Sequence, residues 1–178
     1  MLGLKEATFK LECIVYNLIP EVYIFLLQHQ ITFDYFVSQW FITMFQYDID
    51  HHEQCMTIVL LALFFGQKVI FQIAFQMINE IKTKLVNYSF EDALIYLKDF
   101  ASEIRFTKVN FLMRALENDL ITNELVTELS YVYERFRIIY KGRDMNGMMD
   151  SSMPVSQRVR FLRSSIPGKV NIKVLWQE

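Results

Sequence analysis

The apolar positions along the chain recur at helical spacing almost from the start. Phe9, Cys13, Tyr16 and Leu18 predict a first helix over residues 6–18. Pro20 opens a second, because the first helical position has no use for an N–H, and Glu21 suits the positive end of the helix dipole; this helix runs to about Gln30. Thr32 and Asp34 are candidate caps for a helix over 34–45, whose Phe36, Trp40, Phe41, Met44 and Phe45 lie on nearly every side, the mark of a central helix. The polar stretch QYDIDHHEQ reads as a loop, with Asp50 placed to cap a helix over 51–64 and Gly66 to stop it in left-handed geometry. A wide apolar stripe follows over 67–86, carried by Val69, Ile70, Ile73, Ala74, Met77, Ile78 and Ile81. Ser89 with Asp92 resembles a weakened capping box and starts a helix at 90–102. Thr107 and Thr122 are the candidate caps for helices over 108–118 and 123–141, and Gly142 ends the last.

After Gly142 the pattern changes. MNGMMDSSMPVSQ clusters Gly, Ser, Asn, Asp and Pro and reads as a linker. In 169–176, Val170, Ile172 and Val174 alternate with polar residues, as in a lone strand or an extended arm laid on a partner. The expected architecture is therefore all-α, an orthogonal or irregular array of about seven helices over residues 1–142, followed by a flexible or partner-bound tail over 143–178. No repeat or heptad series interrupts it.

Composition agrees with helices: 53% of the 178 residues are apolar, with 16 Phe and 9 Tyr against 5 Gly and 3 Pro. A β-sandwich needs far more turn residues. The longest apolar run, CMTIVLLALFF at 55–65, is too short for a bilayer, which takes about 20 residues, and reads as a buried core helix. The N-terminus carries charges in its first dozen residues and no long apolar stretch, unlike a signal peptide. Cys13 and Cys55 are too few for a disulfide framework and fit buried thiols in a reducing compartment. These features point to the cytoplasm, with endomembrane or cytoskeletal association left open.

The net charge of −2 conceals an asymmetry. From Lys141 onward seven basic residues meet three acidic ones, a net +4, which leaves −6 for residues 1–140. Within the tail, VSQRVRFLRSS (155–165) interleaves Arg158, Arg160 and Arg163 with Val159, Phe161 and Leu162. Three arginines do not choose between an acidic protein partner, nucleic acid and anionic lipid. DMNGMMDSSM (144–153) is rich in methionine, which suits a soft docking surface, but its polar and basic surroundings favour a flexible segment.

Few residues suggest chemistry. HHEQC places His51, His52 and Cys55 near one another, but the spacing matches no zinc signature and fits a solvated turn. His29 and Asp34 flank a turn and fit a structural hydrogen bond, since no nucleophile is spaced to complete a triad. GxxxxGK[ST] is absent, so no phosphate loop is formed. No catalytic, cofactor-binding or metal residue is assigned.

The segment PEVYIFLLQHQITFDYFVSQWFITMFQYDID resembles the second half of a TBC domain, the Rab GTPase-activating family. The resemblance rests on Pro20, Glu21, Ser38, Trp40, Phe41 and Phe45, then on Gly66, Val69, Ile70 and Phe71, and on SFEDALIYLKDF at 89–100. It covers about residues 10–100 and weakens toward 140. It implies Rab-family small GTPases or other protein chains as partners, with no nucleic acid, no transmembrane span and room for peripheral membrane contact.

Two departures qualify that implication. Where the family carries an Arg-Ile-Trp-Asp-like tetrapeptide, spacing from Gly66 puts Thr57, Ile58, Val59 and Leu60. The family's catalytic arginine, in Ile-x-x-Asp-x-x-Arg, and its glutamine, in Tyr-x-Gln, belong to an upstream subdomain with no counterpart in this sequence; the nearest imitation, LENDLIT at 116–122, puts Thr122 in the arginine's place. A finger arginine supplied in trans is worth about 10³–10⁵ in rate. The expectation is a regulatory or binding module that is not itself an enzyme. The alternative is a scaffold subunit of a large ciliary or cytoskeletal assembly.

Overall fold

The computed structural model describes residues 2–47, 52–103 and 109–140. Eight helices form among them, one more than the expected count of about seven: α1 (Leu2–Leu18), α2 (Pro20–Gln28), α3 (Asp34–Thr43), α4 (His52–Phe65), α5 (Lys68–Leu85), α6 (Phe90–Glu103), α7 (Val109–Leu116) and α8 (Asn123–Tyr140). No strand is present among the described residues. Thr107, Asp50 and the whole of 141–178, including the alternating stretch at 169–176, lie outside them.

The central helix is α5, not α3. Every residue from Phe71 to Ile78 is buried, and α5 packs against α1, α3, α4, α6 and α7. Its polar positions disguise this in the sequence. Gln72 donates through Nε2 to the carbonyl of Asn118 at 2.9 Å, and Gln76 donates to Glu80 Oε1 at 2.7 Å. A buried amide with a partner escapes most of the cost of losing water. Arg114 of α7 completes the bridge with Glu80 at 2.8 Å. On α3, by contrast, Tyr35 and Ile42 face outward, and Phe36, Val37 and Trp40 alone make its buried side.

Helix α1 is the second buried rod. Phe9 sits 5.4 Å from Tyr133 and 5.6 Å from Phe136, which lays α8 along it. Tyr16 meets Tyr23 edge-on at 5.1 Å across the α1–α2 corner. That corner bends by 117° at Pro20, whose missing N–H cannot continue α1. Among the described residues no single helix is long and apolar enough to cross a membrane; α1 and α2 would pass only as this bent pair.

Local chemistry sets most boundaries. Ser89 Oγ accepts the Asp92 N–H at 3.3 Å and donates to the Asp92 carboxylate at 2.6 Å, so Ser89 caps α6. Thr122 Oγ1 accepts the Leu125 N–H at 3.1 Å and caps α8. Asp34 and Thr32 do not cap α3: Asp34 lies in its first turn, and the cap position falls on Phe33 without a side-chain bond. Two helices end on residues the sequence does not flag. Gln30 and Met44 both adopt left-handed backbone, at φ 56° and 51°, so that Ile31 N–H reaches the Leu26 carbonyl and Phe45 N–H reaches that of Trp40. Each closure buries the residue after it, and Phe45 comes to rest 6.3 Å from the Trp40 ring.

Gly66 ends α4 as expected, at φ +87°, with its N–H on the Ala62 carbonyl at 3.0 Å. The turn is latched from far along the chain. Asn123 donates through Nδ2 to the Phe65 carbonyl at 2.8 Å and accepts the Lys68 N–H at 3.2 Å through Oδ1. A Cβ at position 66 would lie 2.6 Å from Asn123 Oδ1. Gly66→Ala therefore meets both strain and collision. Left-handed strain alone costs about 1–2 kcal/mol, so the unfolding free energy from urea titration is expected to drop by at least that amount. Gly3→Ala, with nothing within 4 Å of the added methyl, is expected to hold or raise it.

Candidate protein-interaction surface

The run 55–65 is only half buried, contrary to its expected place in the core. Helix α4 packs on α5 along one flank, with Cys55 and Ile58 buried and Leu61 and Ala62 partly so. Met56, Leu60, Leu63 and Phe64 recur at the i, i+4, i+7, i+8 spacing of a single helical face, and that face points outward. Leu60 is 49% exposed, Leu63 77% and Phe64 81%. With Phe65 beside them, these side chains present on the order of 500 Å² of apolar surface, the size that marks an interaction site rather than scattered exposure.

Positions 57–60 can now be placed. Ile58 is the buried one and Val59 is partly covered. Thr57 and Leu60, which stand where the resemblance implies arginine and aspartate, both face solvent. Thr57 returns its hydroxyl to the Glu53 carbonyl at 2.8 Å. Where the resemblance implies two charges, this chain presents a largely apolar face. Acidic groups stand at both ends of it. Glu53 is exposed in the first turn of α4, and Glu124 is exposed beside Asn123, which is pinned to the Gly66 corner. The Glu124 carboxyl is held below the usual carboxylate range by the N–H at the head of α8 and the Thr122 hydroxyl, with Lys68 adding to the effect.

A second feature was not anticipated. A cleft of about 400 Å³ opens between α1, α3 and α5, walled by Ala7, Phe41, Ile42, Ile70 and Phe71. Glu6 and Lys10 line it as an ion pair at 2.7 Å, with Lys10 almost fully buried and its ammonium 6.0 Å from the centre of the Phe71 ring. Ser130 Oγ of α8 donates to Glu6 Oε1 at 2.8 Å. Burial pushes the Glu6 carboxyl up, but the hydrogen bonds from Lys10 and Ser130 and the Lys10 charge outweigh it, and the net shift is downward. The pair is self-neutralised, so the cleft offers apolar walls and no reactive group. The four-residue spacing of Glu6 and Lys10 was the one trace of it in the sequence.

Among the remaining candidates, His29, Cys55 and Thr122 fall into structural roles. The His29 ring packs on Phe25 at 4.5 Å and faces Phe90 at 6.2 Å, with no bond to Asp34. Burial raises the Cys55 thiol above its ordinary range, against a thiolate ligand, while the side chains of His51 and His52 lie outside the described residues. No group of three metal-binding side chains occurs among the described residues. Thr122, in the place of an arginine finger, is a helix cap. The basic and methionine-rich tail stretches lie outside the described residues.

A family model described as the RabGAP TBC domain matches residues 1–141. No curated protein matches the chain, and no solved structure does.

Two measurements check these assignments. Glu6→Gln removes the partner of a buried ammonium, which is expected to cost about 1–3 kcal/mol near neutral pH. Because the folded carboxyl titrates lower than the unfolded one, that stabilisation is present above the ordinary carboxylate range and disappears as pH falls through the lowered value. Unfolding curves of the parent and variant should therefore converge in acid. Cys13 and Cys55, both buried outside any disulfide, are expected to react with an aromatic disulfide reagent only at the rate of unfolding.

Proposed function

The chain belongs to the RabGAP TBC domain family, and we propose that it serves as a binding module for a Rab-family small GTPase without speeding GTP hydrolysis itself. The observation that carries this reading is the outward face of α4, where Thr57 and Leu60 replace the charged pair implied by the resemblance and sit in an apolar stripe with Met56, Leu63 and Phe64. A surface of that kind binds protein by burial and contributes nothing to phosphoryl transfer.

Chemistry supports the second half of the proposal. Hydrolysis is accelerated by a cation on the transferring phosphoryl group and by a group that orients the attacking water. Neither the Ile-x-x-Asp-x-x-Arg nor the Tyr-x-Gln pattern occurs in these 178 residues. Arg114 is held by Glu80, and Arg137 pairs with Glu134 at 3.1 Å. A binding module of this family acts by occupancy: it holds a GTPase, masks one of its surfaces, or brings it to other chains. The uncovered stripe equally favours a structural subunit of a larger assembly if no GTPase is the partner.

The test separates binding from rate. The full chain is incubated with a panel of GTP-loaded Rab proteins, with hydrolysis followed by phosphate release and binding by retention on the immobilised chain. At least one GTPase is expected to be retained while its hydrolysis stays at the intrinsic rate. Leu60→Asp and Phe64→Ser should each weaken retention by about tenfold or more, as for anchors at the centre of an interface. Stimulated hydrolysis would overturn the non-catalytic reading, and retention of none of the panel would leave the scaffold reading.

A further inference from the structure

We propose that residues 155–165 of this same chain, VSQRVRFLRSS, lie across the outward stripe of α4 and compete there with the protein partner. The inference rests on the reading of that stripe as a protein-docking face.

Four observations converge on this occupant. The first is charge. Glu53 stands at one end of the stripe, and Glu124, with Lys68 beside it, follows Asn123 at the corner where it ends, on a body of net −6. The segment carries Arg158, Arg160 and Arg163 and no acidic residue. The second is pattern. Val159, Phe161 and Leu162 fall between those arginines, so one short segment supplies apolar groups for the stripe and cations for its acidic ends. The rise from Glu53 to Phe64 along α4 is about 17 Å, and five extended steps from Arg158 to Arg163 cover about 17 Å.

The third is reach. Helix α8 begins at the Gly66 corner, where Asn123 bonds the last carbonyl of α4, and its 18 residues carry the chain about 27 Å away. The 14 residues of 141–154 extend to about 46 Å, enough to bring Val155 back to the corner. The fourth is area. About 500 Å² is a size that a short segment covers in full, whereas a larger partner must add contacts beyond the stripe. A second copy would bring another net-negative body against the acidic ends. A short cationic segment does not meet that obstacle, and its tethering makes the association intramolecular.

The test uses the full chain with Phe64→benzoylphenylalanine, a photoreactive group at a position exposed enough to accept it. After irradiation, the monomer band is digested and sequenced by mass spectrometry. The expected product joins position 64 to the peptide spanning 155–165. The yield should fall about tenfold in R158E/R160E/R163E, the combined effect of three exposed ion pairs, and also in 1 M salt, with the circular dichroism of the helices unchanged. A crosslink between two copies, a crosslink to another segment, or no crosslink would each overturn the proposal, and so would a yield indifferent to the charge reversal. No GTPase is present in this experiment. A failure of the tail to dock is therefore distinguishable from a failure of the docking face, which shows in the retention assay of the R158E/R160E/R163E chain. That variant is expected to retain the GTPase more strongly than the parent.

Discussion

The whole arrangement depends on burying α5 around its entire circumference. A helix with eight consecutive buried residues needs a neighbour on every side. Helices α1, α3, α4, α6 and α7 supply them, and apolar contact alone would leave their positions around the rod loosely defined. Definition comes from the polar atoms that α5 carries into the interior. Gln72 fixes the α7–α8 connection by its carbonyls, and Gln76 works through Glu80 to Arg114 on α7. Once that connection is fixed, Asn123 arrives at Gly66 and sets the angle at which α4 leaves α5. The outward stripe thus rests on a corner next to the connection that Gln72 holds from the interior.

Much of the fold was legible because it is written in local chemistry. Pro20, Ser89 with Asp92, Thr122 and Gly66 each act within a turn of their own position, and each marks the boundary it was expected to mark. Gln30 and Met44 were not legible. A left-handed closure usually announces itself by glycine, and here the energy that holds the conformation comes from burying Ile31 and Phe45, which is tertiary. The central helix was misplaced for a related reason. Hydrophobic periodicity counts Gln72 and Gln76 as solvent-facing, whereas Gln72 bonds carbonyls of the α7–α8 connection and Gln76 bonds Glu80 of its own helix, which Arg114 of α7 pairs. Asp34 and Thr32 looked like caps, but the turn at Phe33 folds inward and puts an apolar residue at the cap position.

The candidate surface was hidden by the same ambiguity in reverse. A run such as CMTIVLLALFF states that much of a helix prefers to avoid water and leaves open which partner removes it. In the folded chain α5 removes only the Cys55–Ile58 side. The family resemblance supplied the context that composition lacked, since it implies charge at 57 and 60 and so makes Thr57 and Leu60 informative. The Glu6–Lys10 cleft had no such context. An i, i+4 pair on a helix usually lies in solvent, and the packing of α3, α5 and α8 is what buries Lys10 and half-buries Glu6.

The latch at Gly66 also bears on how the chain comes off the ribosome. The hydrogen bond from Asn123 to Phe65 spans 58 positions. At about 5–20 residues per second of synthesis, α4 is complete several seconds before the residue that anchors its C-terminal end exists. Through that interval the angle of its apolar run is not fixed by the latch. The face that the finished protein keeps open is therefore also open throughout the synthesis of the residues that orient it.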